Sequence, residues 1–127
     1  MKIKTINKKG DWSFPWTVAL KNAIQNGSNN TVVGEHLLLE TGKFKVWSIH
    51  LPIGQSLPFH KHNKSYFYTI KSEGKSRSFY TDGTVIETKY EKNDIKHFND
   101  LNEENFFIHN LENIGNTTLI FTTVEFK

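Results

Sequence analysis

Residues 54–74, GQSLPFHKHNKSYFYTIKSEG, hold two histidines one residue apart, His60 and His62, inside a run with strand character. In a strand, residues i and i+2 face the same side, about 6.5–7 Å apart. Two imidazoles at that spacing can lean toward one point and take an ion at roughly 2.0–2.2 Å. A third ligand then has to come from a neighbouring strand, and His109, in the apolar run FFIHNLENIGN, is the candidate. Where a carboxylate would complete such a site, the chain reads Tyr66-Phe67-Tyr68.

Working outward, the text on both sides is a succession of short strands. VGEHLLLE meets FKVWSIHL across Thr41-Gly42, and Pro52 and Gly54 punctuate before LPFHKH and SYFYTIKS. SRSFYTD, TVIETKYE, FFIHNLEN and TTLIFTTVEF follow, separated by turn residues at Gly83, Lys92-Asn93-Asp94 and Gly115. Short β-branched and aromatic runs at this spacing predict an all-β sandwich or barrel. The alternation is clearest in FKVWSIHL and TLIFTTVEF, each with one apolar face. The first thirty residues look irregular, with DWSFPW carrying two of the three tryptophans. Thr17–Gln25 is expected to form a short helix that stops at Asn26-Gly27. This gives an N-terminal arm over residues 1–31 and a barrel over residues 32–127.

Composition narrows the function classes. A chain of 127 residues makes one domain with a core of useful size. It has no cysteine, which rules out a disulfide framework and a zinc–thiolate site. MKIKTINKKGDW lacks the apolar segment of a signal peptide, and no apolar run approaches the ~18 residues needed to cross a membrane. A cytoplasmic protein without a membrane partner is expected. The net charge of +3 comes from lysines spread along the chain, which argues against a nucleic-acid footprint. Among the 16 basic residues Arg77 is the one arginine, so it is the candidate for work that needs a planar donor fork.

Several of these residues resemble the signatures of the cupin family. Gly54 precedes the His60-x-His62 pair by five residues, and a glycine follows at 74. A second cupin signature ends in His-x-x-x-Asn, and His109 with Asn113 fits it. Before it, where cupins carry Pro-x-Gly-Asp at a turn, this chain reads Glu91-Lys92-Asn93-Asp94. Asparagine in the glycine slot is tolerable, because it enters the left-handed region more easily than most residues. The resemblance covers about Phe44 to Phe126. It implies an antiparallel double-sheet jelly roll, the cupin β-barrel. It also implies that His60, His62 and His109 hold a divalent transition metal such as Fe, Mn, Ni or Zn.

Two departures stand out. The segment between Asp94 and His109, IKHFNDLNEENFFI, is longer than the family pattern, and is expected to be an extended loop at the barrel rim. The family's glutamate falls at Tyr66 or Phe67, the spacing to Gly74 favouring Phe67 and strand parity with His62 favouring Tyr66. Three arrangements stay open. The site has three histidines and open positions; or Tyr66 or Tyr68 reaches the ion or its ligand; or Glu103 or Glu104 supplies a carboxylate. Three neutral imidazoles leave the ion's charge uncompensated, which favours an anionic ligand.

The expected protein is a metal-binding cupin acting on a small anionic metabolite. Tyr66 or Tyr68 would be the proton-transfer group and Arg77 the clamp for a substrate carboxylate. The resemblance leaves dioxygenase, isomerase and lyase chemistry open. The alternative is a non-catalytic module that binds or senses a small ligand, with or without metal. Small cupins commonly dimerise through sheet extension and exchanged N-terminal segments, which implies a homodimer with DWSFPW at its interface. His36, His50 and His97 are expected to be surface or supporting histidines, with His50 able to line the same cavity.

Overall fold

The strand β10 (Leu119–Phe126) shows the pattern that builds the molecule. Its residues 119, 121, 123 and 125 are buried while those between them are more open, the period-two signature of a strand with one face on a core. The computed structural model describes residues 1–127. In chain order the other strands are β1 (Lys2–Asn7), β2 (His36–Glu40), β3 (Phe44–Leu51), β4 (Ser56–His62) and β5 (Tyr66–Ile70). Then come β6 (Gly74–Phe79), β7 (Val85–Tyr90), β8 (Ile95–Phe98) and β9 (Phe107–Asn113). One sheet runs β1-β7-β6-β9-β4 and the other β2-β3-β10-β5-β8. Every pairing is antiparallel. This is the expected all-β double-sheet jelly roll.

Between the sheets, Ile49, Leu51, Ile70, Tyr90, Leu111, Leu119 and Phe121 form a buried cluster that draws on strands of both. Asn113 pins this end of the molecule. Its side-chain amide donates to the carbonyls of Leu51 at 2.9 Å and Thr117 at 2.8 Å, and its carbonyl accepts the Gly115 N–H at 3.0 Å. The second signature's asparagine is therefore a latch between β3 and the β9–β10 turn. Gly74 is needed for close approach, since a Cβ there would run into the Leu119 side chain. Asn93 adopts φ 72°, the left-handed conformation expected at the turn before β8.

The arm differs from its sequence reading. Residues 2–7 form β1, which pairs with β7 and so becomes a strand of the barrel sheet. The helix α1 spans Val18–Ala23, capped by the Thr17 side chain on the Leu20 N–H, and passes into a single 3-10 turn over Ile24–Gly27. Trp16 is buried against Phe59, Phe79 and Val85, with Ile6, Leu20, Ala23, Ile24 and Ile108 packed around them. Its indole N–H donates to the Gly83 carbonyl at 2.8 Å. The arm thus covers the outer face of its own sheet, so Trp16 is not free for a dimer interface. The segment after Asp94 is also corrected: it begins as β8, paired with β5, and residues 99–106 alone form the loop.

Trp16→Ala is expected to cost about 3–5 kcal/mol, the usual range for emptying a buried indole site. Phe14→Ala, at a residue 87% exposed, is expected to change stability by less than about 0.5 kcal/mol. Urea unfolding of the two variants beside the wild type checks both values.

Candidate metal centre

The β4–β9 pairing builds the site. His60 stands directly opposite His109, and His62 opposite Phe107. A register shift between Leu57 and His60 lets Leu57 and both histidines line the interior cavity while Phe59 packs under the arm. The three imidazole centroids lie 4.8, 4.8 and 5.0 Å apart, and one ligand atom from each falls within 4.8 Å of the others. His60 and His62 are 3% exposed. The Nε2 atoms of that pair approach to 3.1 Å. Two nitrogens about 2.1 Å from a common ion, at a right angle or slightly more, are separated by roughly this distance.

Each imidazole is neutral, as a ligand must be. Burial pushes His60 down to about 4. Burial, then the charge of the neighbouring rings, takes His62 and His109 well below the ordinary histidine value. His60 Nδ1 lies 2.8 Å from the Pro58 carbonyl, which fixes the proton on Nδ1 and leaves the Nε2 lone pair for the cluster. His62 Nδ1 and His109 Nδ1 are buried without a partner. Metal-bound histidines usually donate that second N–H to an acceptor, so the donor set fits an ion while its outer support is complete at His60 alone. Without an ion, His62 Nε2–H donates to His60 Nε2 and the cluster is a hydrogen-bonded pair beside a third ring.

Of the two residues at the missing acid's slot, strand parity turns one toward the cavity. Tyr66 faces inward, its ring stacked 4.2 Å from that of His62 at an interplanar angle of 19°. Phe67 faces out toward Phe126 and His97. Burial raises the Tyr66 phenol well above its ordinary value, and that of Tyr68 as well, so both stand as O–H donors. Glu103 and Glu104 are exposed on the 99–106 loop, Glu103 accepting from the Asn63 side chain at 2.8 Å. The ligand cluster consists of the three histidines, without either glutamate.

Arg77 is not brought to the cavity. Its neighbours Ser76 and Ser78 are buried, and its guanidinium donates twice to one Glu87 carboxylate oxygen, at 3.0 and 2.8 Å. The role of carboxylate clamp assigned to it on composition therefore has no support from its position. His36, His50 and His97 are exposed, so His50 does not line the cavity. Two inward groups escaped the sequence reading. Glu125 stands opposite Tyr66, is 6% exposed and accepts from Trp47 Nε1 at 3.2 Å. Lys96 lines the cavity from β8. Their strand parity was the signal available for both.

The cavity has a volume of about 370 Å³. Its walls are largely aromatic and aliphatic, with Tyr66, Phe98, Phe107 and Tyr80 around the histidines. Phe98 stacks on Tyr66 at 4.7 Å, and Tyr80 lies 5.1 Å from the His109 ring.

Solved structures share this architecture. A cupin domain from Bordetella pertussis Tohama I superposes with a TM-score of 0.63 at 18% identity, over 80% of this chain and 99% of that one. The chain has the cupin fold. An RmlC-like cupin family protein with a double-stranded β-helix fold from Methanocaldococcus jannaschii gives a TM-score of 0.55 at 22% identity, over 72% of this chain and 76% of that one. A conserved protein with a double-stranded β-helix domain from Klebsiella pneumoniae subsp. pneumoniae MGH 78578 gives 0.56 at 21% identity, over 90% of each chain. No protein-family model and no curated protein matches the sequence. These likenesses establish the cupin fold, and the histidine cluster adds a possible metal site to it.

The depressed histidines make acid stability a test of the cluster. An unfolded histidine titrates near 6.5, and folded His60 titrates at about 4. Between these values the unfolded chain binds a proton that the folded chain refuses, so stability falls as pH falls through the window. His60 alone is expected to account for about 3 kcal/mol of the metal-free protein's loss, and His62 and His109 extend that loss to lower pH. Urea midpoints at about pH 7, 5.5 and 4.5 check this, and a flat profile would contradict burial of neutral imidazoles.

Proposed function

We propose that this chain is a metal-dependent cupin enzyme acting on a small anionic metabolite. The observation that carries the proposal is the convergence of three imidazoles on one end of an apolar cavity, with the Nε2 atoms of His60 and His62 3.1 Å apart. His60, His62 and His109 would hold a divalent ion such as Fe, Mn, Ni or Zn. Imidazole suits all of these, so the ligands do not choose among them. When bound, such an ion supplies Lewis-acid polarisation of a ligand oxygen.

The protein's own residues supply the rest. Tyr66, held flat against His62, is the proton donor beside the cluster, and Tyr68 lines the cavity one layer away. Phe98 and Phe107 flank Tyr66 and keep water from that wall. With no carboxylate among the ligands, a ligand that brings its own negative charge is favoured. Oxygenation, isomerisation and lyase chemistry all suit this arrangement. We further assign a cytoplasmic protein with no nucleic-acid partner that associates as a homodimer. The exposed Val18 and the leucines of β2 support the association.

A second reading, a ligand-binding module without metal, is favoured by the unpartnered Nδ1 atoms of His62 and His109. Elemental analysis of the untagged protein beside His60→Ala separates the two. A near-stoichiometric transition metal lost in the variant is the expected result, and no metal in either protein after reconstitution overturns the enzyme. Once turnover is found, Tyr66→Phe is expected to lower kcat by about 10²–10⁴-fold with metal content unchanged. Loss of metal together with rate would instead make Tyr66 a support for His62.

A further inference from the structure

Lys96 is a cation on an otherwise apolar cavity wall. β8 presents Lys96 and Phe98 inward and leaves Ile95 and His97 exposed. No carboxylate lies within ion-pairing distance of its Nζ, although four other amino or guanidinium groups of the molecule have one. The ammonium sits 5.3 Å from the Phe98 ring centroid. Phe98 stacks on Tyr66, and Tyr66 on His62, so a continuous stack of rings runs from Lys96 to the histidine cluster. Ile3, Asp82 and Thr84 also line the cavity, and Ile3 and Asp82 are exposed. Asp82 is the other charge there, and its carboxylate already accepts the Thr84 N–H at 3.0 Å.

We propose that Lys96 is the specificity-determining residue of the cavity. It holds the carboxylate of a monoanionic ligand whose flat apolar body lies along Phe98 and Tyr66 toward the histidines. This rests on the reading that the cavity takes an anionic metabolite, and it moves the anion-binding role from Arg77 to a group that faces the cavity. An unpaired, partly desolvated ammonium gains a charge-assisted hydrogen bond that water provides less well in such a place. Burial lowers the pKa of Lys96 below that of an exposed lysine, a shift that a bound carboxylate reverses. A rival role is defence: β8 is an edge strand, and an inward lysine discourages edge-to-edge pairing.

The test compares phenylacetate with its neutral isostere phenylacetamide, by calorimetry or ligand-observed NMR, on metal-stripped wild type, Lys96→Met and Lys96→Arg. Wild type is expected to prefer phenylacetate by about tenfold or more, the order that one charge-assisted hydrogen bond supplies. Lys96→Met is expected to abolish that preference while holding phenylacetamide, and Lys96→Arg to keep much of it. Stripping the metal isolates Lys96 from the histidine site, so absence of metal in the native protein leaves this comparison intact. Equal affinity for the two probes in wild type, no binding of either, or a preference that survives Lys96→Met would each overturn the proposal. Self-association of Lys96→Met with an unchanged preference would assign the residue to edge defence.

Discussion

The register of β4 against β9 is the constraint on which the rest of this structure depends. His60 meets His109 because these two strands pair with those residues opposite, and His62 joins them two positions along. A slip of β4 by one residue would turn His60 and His62 away from the cavity and leave His109 on β9 without them. The shift between Leu57 and His60 is part of the same device, because it lets Phe59 serve the outer cluster under the arm while both histidines serve the inner one. The two hydrophobic clusters lie on opposite faces of this sheet, so the pairing that forms the site is clamped from both sides. The same burial makes three neutral imidazoles the stable state and couples the site to acid stability.

Much of this was legible in the sequence because a β-strand's period of two is short enough to survive in single runs. Eight of the ten strands lie in the segments that alternate or carry β-branched and aromatic residues. His60 and His62 stood out by spacing and His109 by the His-x-x-x-Asn pattern, while the choice between Tyr66 and Phe67 stayed open. What was not legible depends on pairing across the sheet. KIKTIN carries too little apolar weight to announce itself as β1, which forms because it completes the edge beside β7. β8 has four residues and was hidden within a long polar segment.

Arg77 illustrates how composition can mislead where pairing would not. It drew attention as the one arginine, yet the residues facing inward beside it are two serines, which give no apolar alternation to reveal the inner face. The β6–β7 hairpin turns at Asp82-Gly83, and that turn sets Arg77 opposite Glu87. A cation with a carboxylate directly across the ladder has its natural partner on the surface. Lys96, one of many lysines, had nothing to distinguish it except the side of the strand on which it falls. Its opposite neighbour is Tyr68, another cavity residue, and no acid stands across from it.

The carboxylate missing from the cupin pattern is not supplied by the buried Glu125. It stands across from Tyr66, so tyrosine and glutamate occupy adjacent strands of one layer. Its oxygen accepts from the Trp47 indole, and burial raises its pKa above the usual carboxylate range, only partly opposed by that hydrogen bond and by Lys45 and Lys64. A carboxylate so held lies outside the histidine ligand group, and cannot compensate an ion there without giving up its own donor. Tyr66 fills the intervening place with a neutral ring. In the proposed metal site the charge balance would therefore be left to the ligand, and Lys96 lies along the same wall of rings. On the proposed function, a small anion would meet favourable charge at both places and an apolar surface between them. This is a stronger constraint on the ligand than the identity of the metal.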